Sequence, residues 1–375
     1  MRELMETLLP WWADGHTVGV GTVVQTWRSA PRQPGAAMAV GPGGEVVGSV
    51  SGGCVEGAVY ELAQEVVAAN SPVLQRYGVS DDTAESVGLT CGGILDVFVE
   101  PVSRLSFPEF GVLAAEVAAD RPVAVATVVA HPDPARIGRR LVVGADTTYD
   151  GPGLGSSHAD AAVADDARGL LAAGRTETRE YGPDGERRGE GMRVFVAAYA
   201  PPARMIVFGA IDFAAAVAEI GAFLGYAVTV CDARPVFATA SRFPVAREVI
   251  VDWPHRYLAA EAEAGRLDPR TVVCVLTHDP KFDVPVLNVA LRLDLAYVGA
   301  MGSRRTHEDR LARLRESGLG AAELERLASP IGLDLGARTP QETAVSIAAE
   351  IVATRWGGGG DRLGRLTGPI HHDPA

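Results

Sequence analysis

Two cysteines of this chain sit in glycine-rich turns, Cys54 in Ser51-Gly52-Gly53-Cys54 and Cys91 in Thr90-Cys91-Gly92-Gly93. Glycine lets a backbone approach a ligand closely, and a thiol in such a turn has no apolar shell around it. The other two, Cys231 and Cys274, lie inside apolar runs and read as small buried hydrophobes. Val55, Val59, Leu62, Val66 and Val67 recur at a helical period over Val55–Ala69. Cys54 therefore stands just ahead of a helix N-terminus, whose backbone N–H groups and partial positive charge favour an anion. Thiolate character is expected of Cys54, and the same amides suit a phosphate. Two soft thiolates beside bare backbone suit a soft metal or a sulfur-bearing ligand, which makes Cys54 and Cys91 the metal-ligand candidates. They are 37 positions apart, with no histidine between His16 and His131. Structural zinc uses short paired spacings, so zinc is not expected; a redox disulfide between them stays open as an alternative, although it lacks the C-x-x-C spacing. Upstream, Arg28 and Arg32 bring positive charge to the turn-rich stretch Thr26–Gly35. Arg32 reads either as a bidentate phosphate ligand or as a solvated loop arginine.

The elements that must position these residues repeat. Val18-Gly19-Val20-Gly21-Thr22-Val23-Val24 is echoed 105 positions later by Val123-Ala124-Val125-Ala126-Thr127-Val128-Val129. Val40-Gly41 is echoed by Val143-Gly144, and Tyr77-Gly78 by Tyr181-Gly182; Ile94–Val99 and Met192–Tyr199 close the two copies as strands. The pattern predicts an α+β domain over 1–200, built from a duplicated strand-strand-helix-strand unit at 15–104 and 120–200. Where the first copy has Gly52-Gly53-Cys54, the second has Ser156-Ser157-His158, and it lacks a counterpart of Thr90–Gly93. If the fold alone required the Gly-Cys turns, both copies would carry them, so these turns read as functional.

From 203 to 356, short apolar strands alternate with helices, which predicts a Rossmann-like doubly wound parallel sheet. Thr339-Pro340-Gln341-Glu342 supplies an N-cap, a first-turn proline and a capping-box glutamate for a last helix, with Val345, Ala348, Ile351 and Val352 as its core face. The tail 357–375 is expected to be disordered. A dinucleotide fingerprint needs three glycines and an acid about 20 residues on. Asp232 fits, but Gly209-Ala210-Ile211-Asp212-Phe213-Ala214 keeps only the first glycine, and Asp212 opposes a phosphate, so NAD(P) or another nucleotide is doubtful here. Ligand candidates at the carboxyl edge of this sheet are His278-Asp279 and Ser303-Arg304, the latter at a helix start. Asp283 reads as a helix cap.

Composition narrows the function classes. The chain has 375 residues, 47% hydrophobic and 22% charged, with a net charge of −13, so a phosphate-backbone partner is not expected. Val123–Ala130 is too short to span a membrane, for which about 20 residues are needed. Met1–Gly15, carrying Glu3, Glu6 and Asp14, does not read as a secretory signal, so a cytoplasmic, reducing location is expected.

Ser-Ala-Pro-Arg-Gln-Pro-Gly at 29–35, Gly-Ser-Val-Ser-Gly-Gly-Cys-Val-Glu at 48–56 and Gly-Leu-Thr-Cys-Gly-Gly at 88–93 resemble the N-terminal motifs of the XdhC/CoxI family. Leu276–Asp279, Tyr297-Val298-Gly299, Gly302–Arg305, Pro330–Asp334 and Thr339-Pro340 are similar to its second domain. The motifs occur in order over 15–356. The resemblance implies an accessory protein, a cofactor chaperone more than an enzyme. It would bind the molybdenum cofactor (molybdopterin), shield it while a cysteine desulfurase supports exchange of an oxo ligand for sulfide, and deliver it to a xanthine dehydrogenase or carbon monoxide dehydrogenase-type molybdenum hydroxylase. The residues themselves leave two rivals: an NAD(P)-dependent oxidoreductase built on the second domain, and a cysteine-based sulfur carrier. A homodimer is expected as the commonest arrangement, with Cys54, Cys91 and His278 expected to share one cleft.

Overall fold

A computed structural model describes residues 2–27, 30, 32–78 and 93–367. The chain forms two compact units, one running to Pro201 and one starting at Pro202.

The first unit runs α1 (Met5–Ala13), β1 (Val18–Trp27), β2 (Ala37–Val40), β3 (Val46–Gly48), α2 (Glu56–Ala69), β4 (Val73–Tyr77), β5 (Ile94–Val102), α3 (Phe110–Ala118), β6 (Val123–Ala130), β7 (Arg140–Gly144), α4 (Ser157–Ala173), β8 (Glu177–Tyr181) and β9 (Met192–Tyr199). Its strands make two antiparallel sheets, ordered β3-β2-β1-β5-β4 and β7-β6-β9-β8. The second order repeats the first without β3, so the duplication is real in three dimensions. Even the irregularities repeat: the β1–β5 ladder slips between Val23 and Gln25, and the β6–β9 ladder slips 105 residues later, between Val128 and Ala130.

Period-2 alternation explains the layering. Val18, Val20 and Val24 of β1 join Val123, Val125 and Val129 of β6 in one core between the sheets. The opposite faces bury α2 and α4 in separate clusters. Gly19 and Gly21 face α2 so closely that an added Cβ would stand 2.7 Å from Ala63 and 2.8 Å from Val59. The first copy holds two strands more than the predicted unit, β3 and β4, and the second copy holds one more, β8. All three are edge strands with at most one buried residue each, so none carries an apolar alternation to read.

The second unit runs β10 (Arg204–Phe208), α5 (Asp212–Phe223), β11 (Ala227–Cys231), β12 (Glu248–Ile250), α6 (Pro254–Glu263), β13 (Val272–Val275), α7 (Pro280–Ala290), β14 (Tyr297–Ala300), α8 (Arg304–Glu316), α9 (Ala321–Glu325), β15 (Leu327–Ala328) and α10 (Pro340–Trp356). Its parallel sheet has the order β12-β11-β10-β13-β14-β15, which is the doubly wound 3-2-1-4-5-6 arrangement with its switch point between β10 and β13. Met205 and Val207 of β10 pack toward α5 and α10, and Ile206 and Phe208 toward α6 and α7. The capping box of α10 forms as predicted, Thr339 Oγ1 accepting from Glu342 N at 3.2 Å. Its core face is turned from the expected one. Ala344, Ile347, Ala348 and Ile351 are buried, while Val345 and Val352 stay 50% and 43% exposed. Gly357 ends the helix with φ 68°; of the tail predicted to be disordered, residues 358–367 are described, with a short helical turn at Leu363–Arg365, and 368–375 lie outside the described residues. Among the described residues, no helix is long and apolar enough to cross a membrane.

Candidate functional site

The two copies of the first unit act as an internal control, because whatever the fold needs should recur in both. Val59, Ala63 and Val66 of α2 are buried on their sheet, as are Val163, Ala167 and Leu170 of α4. In this packing register Gly53-Cys54-Val55 matches Ser157-His158-Ala159. The second copy winds those positions into the first turn of α4, capped by Ser156, whose Oγ accepts from Ala159 N at 3.1 Å. The first copy leaves them out of its helix as a turn, with Gly52 at φ 86° and Gly53 at φ 124°. A Cβ on either glycine would meet nothing within 4 Å. Backbone conformation, not crowding, therefore demands glycine here.

Glu56, the first residue of α2, locks this turn. Its Oε1 accepts from Ser49 Oγ (2.6 Å), Ser51 N (2.9 Å), Gly52 N (2.9 Å) and Val50 N (3.2 Å). Its Oε2 accepts from Ser51 Oγ (2.5 Å), Gly53 N (2.8 Å) and Val55 N (3.2 Å). Burial alone would push this carboxyl up. The hydrogen bonds from Ser49, Ser51 and the backbone outweigh it and hold Glu56 far below the usual carboxylate range. The amides that this carboxylate gathers are those of the turn just ahead of α2. Little in the residue pattern signals this role, since an acid in a first helical turn is common; the nearest signal is the pair Ser49 and Ser51 upstream. The twin position, Asp160, does a smaller version of the same work, accepting from Leu154 N at 2.7 Å. Locking the loop is therefore a property of the fold, and the glycine turn is the addition.

What the lock presents is Cys54, on an exposed turn, its N–H donating to Ser51 Oγ at 3.0 Å. Ser51 is buried beneath it. Ser49, from the same motif, also lines a cleft of about 470 Å³. The stretch 32–37 forms another wall, with Arg32 exposed, and Arg2 joins it. Arg2 is held by a bond from Nη2 to Ala200 O (2.7 Å). Thr176 and Ala197–Tyr199 close the far side. Two of the sequence motifs, 29–35 and 48–56, thus converge on one cleft with two guanidinium groups, Arg2 and Arg32, and one carboxylate, Glu3, at it. Gly93 is buried just before β5; Arg28, Thr90, Cys91 and Gly92 lie outside the described residues.

The candidates of the second unit are engaged in its framework. Asp279 is the N-cap of α7, accepting from Lys281 N at 3.1 Å and pairing with Lys281 Nζ at 2.9 Å. It takes the capping role predicted for Asp283. Asp283 is instead buried, accepting from Thr277 Oγ1 and from Arg310 Nη2 (2.9 Å). Ser303 caps α8, its Oγ accepting from Thr306 N at 3.1 Å, and Arg304 begins that helix exposed. His278 is exposed after β13. Asp232, the acid of the dinucleotide pattern, accepts from Ala210 N (2.7 Å), Arg234 N (2.9 Å) and the Arg234 guanidinium (2.9 and 2.8 Å). A ribose there would have to displace Arg234. Gly209, at φ 106°, serves close packing, since a Cβ would stand 2.9 Å from Thr277.

A duplicated two-sheet unit carrying one elaborated Gly-Cys turn, followed by a Rossmann-like unit, defines the class. The sequence profile of the XdhC and CoxI family matches residues 11–78 and 116–182, starting once in each copy of the duplication, and that of the XdhC Rossmann domain matches 205–351. The chain belongs to the XdhC and CoxI family. It is 27% identical to a Bacillus subtilis (strain 168) protein described as a probable xanthine dehydrogenase subunit, over 91% of this chain and 94% of that protein. It is also 27% identical to the molybdenum cofactor insertion chaperone PaoD of Escherichia coli (strain K12), over 95% of this chain and 87% of that one. A crystal structure described as a xanthine dehydrogenase from Bacillus halodurans shares the fold, with a TM-score of 0.67 at 24% identity, covering 94% of this chain and 95% of that one.

Proposed function

We propose that this protein is a molybdenum cofactor chaperone. It takes up the cofactor as cargo, shields it while a cysteine desulfurase supports replacement of an oxo ligand by sulfide, and hands it to a molybdenum hydroxylase of the xanthine dehydrogenase or carbon monoxide dehydrogenase type. The observation that carries this reading is the contrast between the copies: only the first presents an exposed cysteine on a locked glycine turn, and Ser49 of that turn also walls the 470 Å³ cleft. The PaoD relationship supports the same reading.

The residues fit such a cargo. A cleft of this size lies in the range of small-molecule sites. Arg2 and Arg32, with Glu3 as the one acid on the same wall among the described residues, supply the positive charge a terminal phosphate needs. A soft thiol at Cys54, with Cys91 as its proposed partner, suits molybdenum or a dithiolene sulfur. A locked, water-accessible turn can hold and release a ligand without refolding. A homodimer in the cytoplasm is part of the proposal.

The test is reconstitution. An apo-form molybdenum hydroxylase is mixed with sulfurated cofactor, with and without this protein. The expected result is faster and more complete activation with the chain present, reduced at least about tenfold by Cys54→Ser. Activation that ignores the chain would remove the chaperone reading.

A further inference from the structure

The first unit has a second cleft, of about 220 Å³, and the pseudo-symmetry identifies it as the twin of the first. Arg140 of β7 pairs across from Thr127 as Ala37 of β2 pairs across from Thr22. Glu100 of β5 stands opposite Val20 as Ala197 of β9 stands opposite Val125. Glu109 is the N-cap of α3 as Leu4 is of α1. Leu4, Ala37 and Ala197 line the first cleft; Glu109, Arg140 and Glu100 line the second, with Arg139 beside them.

The same architecture is thus stable with three apolar residues at these positions, so the fold does not require the charges. They are also incompletely satisfied. Arg140 is 3% exposed, pairs with Glu100 through Nη2, and lies 4.1 Å over the Phe107 ring. Its Nε and Nη1 have no hydrogen-bond partner among the described residues, and neither has Oε2 of Glu109, which is 5% exposed. Buried groups of this kind are costly unless something completes them. Two buried donors of Arg140 and one buried acceptor of Glu109, residues that line the same cleft, thus lack partners among the described residues. Burial pushes the Glu100 carboxyl up against the pull of its partner Arg140, which leaves Arg139 and Glu109 as the groups of opposite sign open to a ligand.

We propose that this cleft is a binding site for a small zwitterion with a carboxylate and an ammonium group, the chemistry of a free α-amino acid. The carboxylate goes to the arginine side, Arg139 and Arg140, and the ammonium to Glu109. Pro72, Pro101 and Ile137 supply apolar wall for a small side chain. The volume, below the usual range for drug-sized ligands, restricts the ligand to a compact one. The site stands independently of the cofactor-handling reading.

The full-length protein is titrated calorimetrically with the standard α-amino acids, then with the N-acetyl and carboxamide derivatives of the best binder. The expected result is one-to-one binding by at least one compact amino acid, weakened at least about tenfold in each derivative. Glu109→Leu, which installs the twin's residue, abolishes binding while leaving the melting temperature without ligand unchanged or raised. Glu109→Gln, which preserves shape, weakens binding in the same direction and serves if the leucine variant does not fold. No binding by any amino acid at millimolar concentration, equal affinity for a derivative lacking one charge, or binding indifferent to both Glu109 substitutions would each overturn the proposal.

Discussion

Glu56 is the residue on which the candidate site turns, because one carboxylate gathers two serine hydroxyls and five backbone amides. Its folded-state carboxyl titrates below the unfolded one, so on acidification the unfolded chain takes up this proton first. The stabilisation is therefore complete above the ordinary glutamate value of about 4.3 and is lost as pH falls through the depressed folded value. Glu56→Gln should lower stability by about 2–3 kcal/mol at neutral pH and flatten the acid limb, as measured by urea unfolding at a series of pH values. The cysteines separate at the same scale. Burial pushes the thiols of Cys231 and Cys274 up to about 12, whereas Cys54 is exposed. Brief alkylation of the folded protein at mildly alkaline pH should label Cys54 and spare Cys231 and Cys274 until denaturant is added, which peptide mass mapping would read. This division was legible in the sequence from flanking residue types alone. The Glu56 lock was not, since hydrogen bonding into a turn leaves no periodicity.

At the scale of elements, the duplication was readable because β1 and β6 are long, apolar and nearly identical in pattern. The edge strands β4 and β8, half polar and solvated, were not. Helix α10 shows another limit: its buried stripe is built largely of Ala344, Ile347, Ala348 and Ile351, and in an alanine-rich helix the two exposed valines outweigh the small residues that face the core. Long-range pairings were equally out of reach. Asp283 sits on α7 and looks like a cap, yet the fold brings Arg310 of α8 to it, with Nη2 also donating to Met301 O (2.7 Å) and Nη1 to Ser329 Oγ (3.0 Å). This buried pair ties α7 and α8 to the ends of β13 and β14. Asp283→Ala leaves Arg310 charged and uncompensated, and should cost about 3–5 kcal/mol, seen as a lowered urea midpoint. A wild-type midpoint in the variant would mean that the pair contributes little.

Taken as a whole molecule, the chain separates its tasks. The second unit keeps the doubly wound topology, but Arg234 occupies Asp232 and capping occupies Asp279 and Ser303, so its sheet edge is largely self-satisfied. The first unit carries two related clefts on a duplicated frame, with sequence motifs concentrated at only one of them. That asymmetry is plain in the residues themselves, Gly52-Gly53-Cys54 in one copy against Ser156-Ser157-His158 in the other. Its meaning, a turn extracted from a helix and fixed by Glu56, emerges only from the fold. An acidic protein that binds a phosphorylated anion needs local positive charge, and the first cleft has Arg2 and Arg32 against the single acid Glu3 among the described residues. The most direct test of the cofactor-handling claim is retention: the protein is incubated anaerobically with molybdenum cofactor, desalted rapidly, and assayed for molybdenum and pterin, beside Cys54→Ser and Arg32→Ala. Near-stoichiometric retention by the wild type, lost in Cys54→Ser and weakened in Arg32→Ala, is the predicted result; no retention by the folded wild type, or retention indifferent to both substitutions, would contradict it.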